Sequence, residues 1–249
     1  MTGGIHYVAP DWRTERQVSA VVTLRTGGAS AAPFDSLNLG TPSDDAPGAV
    51  AENRRRVREH FGLPTEPVWL SQCHSAEVVD LDASDSSTPP RADAAVTRRA
   101  GPVCAIRVAD CMPVLLAEEH GAVIGAAHAG WRGLAGGVIE ATVEAMGVNP
   151  ARVLAWLGPT IAQPSFEVGD DVHTAFVQQH AAADEAFVRN ARGRWQCDLY
   201  LLARQRLAAL GVTRVTGGEW DTFAERERFF SFRRDGRTGR MTALIWINP

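Results

Sequence analysis

Lysine is missing from this chain of 249 residues, and all 25 of its Lys/Arg positions are arginine. A Schiff-base lysine, a phosphate-loop lysine and a lysine general base are therefore excluded. No run approaches the roughly 20 apolar residues that crossing a bilayer needs. The opening MTGGIHYVAPDWRTER has no basic-then-apolar secretion pattern, so the expected compartment is cytoplasmic. A surplus of positive charge is absent as well: the net charge is -4 and the pI near 6.0. Nucleic acid and anionic membrane are poor partners for such a chain, and small molecules are better ones. Cysteines are few, and in a reducing compartment Cys73, Cys104, Cys111 and Cys197 read as thiols, ligands or nucleophiles rather than as a disulfide framework.

What is present suits an ordinary enzyme. With 45% hydrophobic and 22% charged residues the chain can bury a sizeable core, and one domain over 1–249 is the expectation. Turn residues crowd 26–48, followed by the helical stretch AVAENRRRVREHFG closed by Gly62 and Pro64. Residues 83–93, ASDSSTPPRAD, read as a surface loop. In the centre, PVWLSQCH, GPVCAIRVADC, PVLLAEEHGAVIGAAH and RVLAWLGP are apolar runs of strand length. Between them GLAGGVIEATVEAMG places Leu134, Val138, Ala141 and Ala145 on one face of an amphipathic helix. DLYLLARQRLAALG is a second helix with Asp198 as N-cap and Gly211 just past its end. TRVTGG and MTALIWI close the chain as strands. The fold class is α/β, of the α+β kind with mixed sheets and hairpins rather than a strict βαβ repeat.

The segment VADCMPVLLAEEHGAVIGAAHAGWRG reads as a hairpin. A two-residue turn at Glu119 and His120 sets Cys111 directly against His128; a turn at His120 and Gly121 shifts the pairing by two residues. Opposed residues share a face with Cβ atoms about 5 Å apart, close enough for a thiolate and an imidazole to meet at one point. One sulfur and two nitrogens with a fourth position open is the pattern of catalytic zinc. His74, at the end of an apolar run, is the best third ligand; His6, His60, His120, His173 and His180 compete poorly. A free cysteine is ordinarily a small buried hydrophobe, but Asp110 and Pro113 around Cys111 are poor core-strand residues. Cys73 and Cys104 read as packing residues, Cys73 keeping a smaller claim as a ligand. AGWRG leads into the helix after His128, so backbone amides and Arg132 offer an anion a place beside the metal. Arg132 fits equally a surface ion pair, and Trp131 reads first as packing.

At these residues the chain resembles the YfiH or laccase-domain family, also called multicopper polyphenol oxidase, peptidoglycan editing factor and purine nucleoside phosphorylase. The resemblance is carried by SLNLG (36–40), ENRRRV (52–57), QCHSAEVV (72–79), ADCMPVLL (109–116), HAGWRG (128–133), LGPTIAQPSFEVG (157–169), DLYLLARQRL (198–207) and FFSFRRDGRTGR (229–240). It implies a zinc site of His74, Cys111 and His128, with copper as an alternative ion. It implies phosphorolysis of adenosine, inosine and methylthioadenosine, with adenosine deamination as a further activity. It implies a sandwich of mixed sheets flanked by helices, similar to the catalytic domain of cytotoxic necrotizing factor. On that footing Arg54 and Arg132 are candidate phosphate contacts, and Glu77 or Asp110 a candidate proton shuttle, with Asp110 also at the substrate. Purine nucleoside and phosphate are then the partners, and the choice between monomer and homodimer stays open.

Three rival chemistries attach to the same residues. A copper oxidase cluster needs many imidazoles, usually closely paired, whereas the chain has 7 histidines and no His-x-His. A cysteine hydrolase would use Cys111 as nucleophile and His128 as base on a peptidoglycan-precursor amide. A binding protein with structural zinc would normally close the site with four ligands, and only three are visible.

Overall fold

A computed structural model describes residues 4–41, 43–84 and 88–249. Two mixed sheets and one small antiparallel sheet organise them. The first sheet has five strands in the order Tyr7–Val8, Val18–Thr23, Met241–Ile247, Val103–Val108, Val68–Trp69. The second has six, in the order Arg214–Gly217, Val153–Leu157, Met112–Glu118, Ile124–Ala129, Ala94–Thr97, Val78–Asp80. Each combines antiparallel pairs with one parallel edge strand or two, as the mixed α/β expectation required.

The two sheets face one another because their strands are apolar on both faces, and alternate residues serve alternate layers. Cys104, Ile106, Ala243 and Ile245 of the first sheet pack with Leu115, Ala117, Ile124 and Ala126 of the second. The intervening residues point outward. Val103, Ala105, Leu244 and Trp246 meet Val57 of the helix Pro47–Phe61, while Val114, Leu116 and Ala127 meet Val138, Ile139, Leu202 and Leu207. The result is a sheet sandwich with helices on both outer faces.

Three local expectations are revised. The hairpin pairs Pro113 with His128 and Met112 with Ala129, so Cys111 lies diagonal to His128 rather than opposite it. The turn is longer because Glu118 Oε2 accepts the backbone N–H groups of His120 and Ala122, at 2.9 and 3.2 Å. This is the two-residue shift that the alternative turn anticipated. The single helix after His128 is two, Trp131–Ala135 and Val138–Met146, broken where Gly137 takes φ 89°. Resetting the phase there buries Val138, Ile139, Thr142, Val143 and Met146 and leaves Ala141 and Ala145 only half-buried. Finally, the 83–93 segment is irregular where described, but its last residue, Asp93, is fully buried. The helix Leu199–Ala209 begins as expected, with Asp198 accepting the Leu201 N–H at 2.9 Å.

Candidate metal centre

The rim of the gap between the two sheets gathers the chemistry. His128 comes from the end of strand Ile124–Ala129, Cys111 from the residue before strand Met112–Glu118, and His74 from the loop after Val68–Trp69. Their donor atoms all lie within 4.8 Å of one another, with Cys111 Sγ 3.9 Å from His74 Nε2. Both loops bend sharply to allow this: His74 has φ 62° and Asp110 φ 86°, a left-handed conformation that side chains rarely adopt. Asp110 is held there from every side. Its carboxylate accepts Thr222 Oγ1 at 2.7 Å and the Arg233 N–H at 2.6 Å, and its carbonyl accepts Ile161 N–H at 3.1 Å and the Thr160 hydroxyl.

Asp93 sets His128. Its Oδ1 lies 2.9 Å from His128 Nδ1, while Oδ2 accepts the N–H groups of Cys73 and Ser75 and the Ser75 hydroxyl. These bonds hold the Asp93 carboxyl well below the usual range despite its burial. Burial pushes the Cys111 thiol up, but the facing His128 and His74 overcome it and bring the pKa down to about 6. Burial disfavours the His128 imidazolium, yet Cys111 and Asp93 raise its pKa to about 9. Cys111 and His128 thus each favour the charged form of the other.

The donor set suits a metal ion. Two imidazoles and a thiolate on separate elements converge, the ring nitrogen of His128 away from them is bonded to a carboxylate, and the fourth direction opens onto a cavity. Gly130 makes room: a Cβ there would come within 2.6 Å of Cys111 Sγ. A second cluster, Glu118, Glu119 and His120, is different, because Arg152 and Arg214 already pair with its carboxylates at 2.5 and 2.8 Å.

The cavity beside the centre has a volume of about 480 Å³, within the range of small-molecule sites. Arg107, Arg132, Arg233 and Arg240 line it, with Trp131, Phe166 and Phe232 as aromatic walls. Phe232 is 58% exposed, unusual for so large an apolar side chain. Of the residues expected at the substrate, Arg132 and Asp110 line this cavity. Arg54 lies outside it; its guanidinium donates to Leu39 O and Thr41 Oγ1 and stacks 3.8 Å over Trp69. Glu77 is exposed and is not part of the cavity wall. Cys73 is exposed rather than packed, with Sγ 3.5 Å from Asp93 Oδ2, whereas Cys104 and Cys197 are buried.

Asp93, Arg107, Arg233, Arg240 and Phe232 were missed by sequence reasoning. Arg107 carried a usable signal, a lone charge inside the apolar strand VCAIRV. Asp93 carried a weaker one, an acid directly before the apolar AAVT.

Fold and centre together define a class. Residues 19–248 match the family described as multi-copper polyphenol oxidoreductase laccase, and the chain belongs to that family. Among its relatives, a protein of Pseudomonas aeruginosa named purine nucleoside phosphorylase is 50% identical over 242 residues, covering 97% of this chain and 98% of its own. Purine nucleoside phosphorylase YfiH of Escherichia coli is 45% identical over 240 residues, covering 96% and 98%. A crystal structure of a Neisseria meningitidis protein superposes with a TM-score of 0.93 at 44% identity, covering 98% of this chain and 99% of that one. YlmD of Geobacillus stearothermophilus does so with 0.88 at 30% identity, covering 98% and 96%. Among the described residues no helix is long and apolar enough to cross a membrane.

Proposed function

We propose that the chain is a zinc-dependent purine nucleoside phosphorylase acting on adenosine, inosine and methylthioadenosine, with adenosine deamination as a second activity of the same centre. The observation that carries this reading is a His–Cys–His donor triangle opening onto a cavity with both aromatic walls and guanidinium groups. The printed names of the relatives support it. His74, Cys111 and His128 hold the ion, which when bound supplies a Lewis acid for an oxygen in the cavity; copper would find the same donors acceptable. Asp93 orients His128 and keeps its other nitrogen turned to the centre. Phe232 and Trp131 present aromatic faces for a purine, and Arg132 a guanidinium at the cavity edge. Asp110, with both carboxylate oxygens occupied, serves to hold the Cys111 loop rather than to carry protons. The same reading treats 1–249 as one catalytic domain working in the cytoplasm.

A second reading is favoured by one observation, the Cys111–His128–Asp93 chain with its lowered thiol and raised imidazole. That is the arrangement of a cysteine hydrolase, for which a peptidoglycan-precursor amide is the candidate substrate. Metal separates the two, since one sulfur cannot be both tight ligand and free nucleophile. Zinc-loaded protein is given adenosine or inosine with and without phosphate, alongside His128→Ala and Cys111→Ala. Phosphate-dependent release of free base, lost in both variants, is expected. No turnover of either nucleoside by zinc-loaded protein, with amide hydrolysis by metal-free protein, would overturn the reading in favour of the hydrolase.

A further inference from the structure

We propose that Arg107 and Arg240 form the oxyanion subsite of this cavity, and that the anion it takes is inorganic phosphate. The identity of the anion rests on the phosphorylase reading; the existence of the subsite rests on the two side chains themselves.

Both arginines are anchored and unfinished. Arg107 Nη2 donates to Leu70 O at 2.6 Å, yet its Nε is buried with no hydrogen-bond partner among the described residues. A buried donor left without an acceptor is rare and costly, which points to an acceptor that arrives with a ligand. Arg240 Nη1 donates to Thr238 O and Gly239 O, at 2.8 and 3.0 Å, and its Nε and Nη2 make no hydrogen bond among the described residues. The two are neighbours: Thr242 pairs with Arg107 across the strands, and Arg240 precedes it by two residues on the same face. Like charges so placed repel, and among the described residues no carboxylate is hydrogen-bonded to either guanidinium. Burial, followed by the charge of Arg240, holds Arg107 below the usual arginine range.

Sequence motifs that the metal centre leaves unexplained converge on this pair. Gln72 clamps the Arg107 strand, accepting its N–H and donating to its carbonyl, each at 2.9 Å. Asn38 Oδ1 accepts the N–H groups of Gly40 and Arg240, at 3.0 and 2.9 Å, tying the SLNLG turn to the start of the last strand. Gly40 has no room for a side chain, because a Cβ would come within 2.6 Å of Arg240 Cγ. The other guanidinium groups are committed or peripheral. Arg54 is bonded outside the cavity, Arg233 donates to Glu167 O, and Arg132 is exposed. Two forked donors in a low-dielectric wall suit a tetrahedral oxyanion.

In the reaction served, an oxygen of hydrogenphosphate bonds to the anomeric carbon as the carbon–nitrogen bond breaks. The electron pair goes to the purine, which takes the proton given up by the hydrogenphosphate, leaving free base and ribose 1-phosphate.

The test uses zinc-loaded wild type, Arg107→Gln and Arg240→Gln, with Arg107→Lys as the variant that retains charge. Zinc content and circular dichroism first confirm that each is folded and loaded. Inosine phosphorolysis gives KM for phosphate and for inosine, and calorimetry with inorganic phosphate gives affinity without turnover. Both glutamine variants are expected to raise the phosphate KM and weaken phosphate binding by about tenfold or more, with inosine KM changed less than about twofold and Arg107→Lys intermediate. Unchanged phosphate KM and binding in the folded variants would overturn the subsite. Phosphate binding lost in the variants, from a wild type that cleaves no nucleoside, would leave the subsite standing and remove the phosphorylase reading. Loss of adenosine 5′-monophosphate binding with free phosphate unaffected would overturn the assignment to inorganic phosphate.

Discussion

Asp93 Oδ1 stands 2.9 Å from His128 Nδ1 in a fully buried contact, and this contact decides which ring nitrogen of His128 faces Cys111. A histidine ligand owes its orientation and basicity to such a partner. Asp93→Asn is therefore expected to lower zinc affinity by about 10- to 100-fold, measured by competition with a chromophoric chelator. An unchanged affinity would show that the ring is held by packing alone.

The same carboxylate bears on stability. Its folded pKa lies below the unfolded value, so its contribution is fully present above the unfolded value of about 4 and is lost as pH falls through the folded one. Asp93→Ala is expected to cost about 3 kcal/mol at neutral pH, because it leaves His128 and two N–H groups without their buried acceptor. The difference from wild type should shrink on acidification below pH 4. Urea denaturation at pH 7 and pH 3 measures both.

Alongside the exposed Cys73, Cys111 is expected to be a reactive thiol of the metal-free protein. With its pKa lowered to about 6, its alkylation by iodoacetamide should reach half its maximal rate near pH 6 and be lost as pH falls further. Burial raises Cys104 to about 12 and Cys197 further, so neither should react in the folded state. Zinc should protect Cys111, and a chelator should restore the reaction. Peptide mapping by mass spectrometry reads each site; equal labelling with and without zinc would exclude Cys111 as a ligand.

Gly130→Ala tests the space around the sulfur. The backbone at Gly130 has φ -66°, which alanine adopts freely, so the cost is the new Cβ against Cys111 Sγ at 2.6 Å. Relieving this clash shifts the sulfur by about 1 Å, which is expected to lower activity by about 100-fold while the circular dichroism spectrum is kept. Full activity would mean that the sulfur has room to move.

Leu115→Ala tests the sandwich rather than the site. Leu115 is fully buried between the two sheets, and its truncation should cost 2–5 kcal/mol by the usual range for such cavities, with zinc stoichiometry unchanged in the folded protein. Thermal denaturation and metal analysis separate the two effects.

Local pattern specified the secondary structure of strongly patterned segments and singled out the three side chains that converge at the candidate metal centre. Apolar runs such as VLLAE and MTALIWI could be little other than buried strands, and Asp198 and Gly62 mark helix ends through local hydrogen bonding and left-handed geometry. Cys111 and His128 were legible because a hairpin is local and its pairing follows from alternation, even though Glu118 lengthened the turn and moved the register by two, and His74 was legible because it ends an apolar run. Contacts between distant segments followed instead from how the sheets pack. Asp93 reaches His128 over 35 residues of chain, and Arg240 joins Arg107 only when the last strand pairs with Val103–Val108. Local periodicity carries no record of such contacts. They arise where two sheets, each folded for its own hydrophobic reasons, bring their polar strand ends to a common rim.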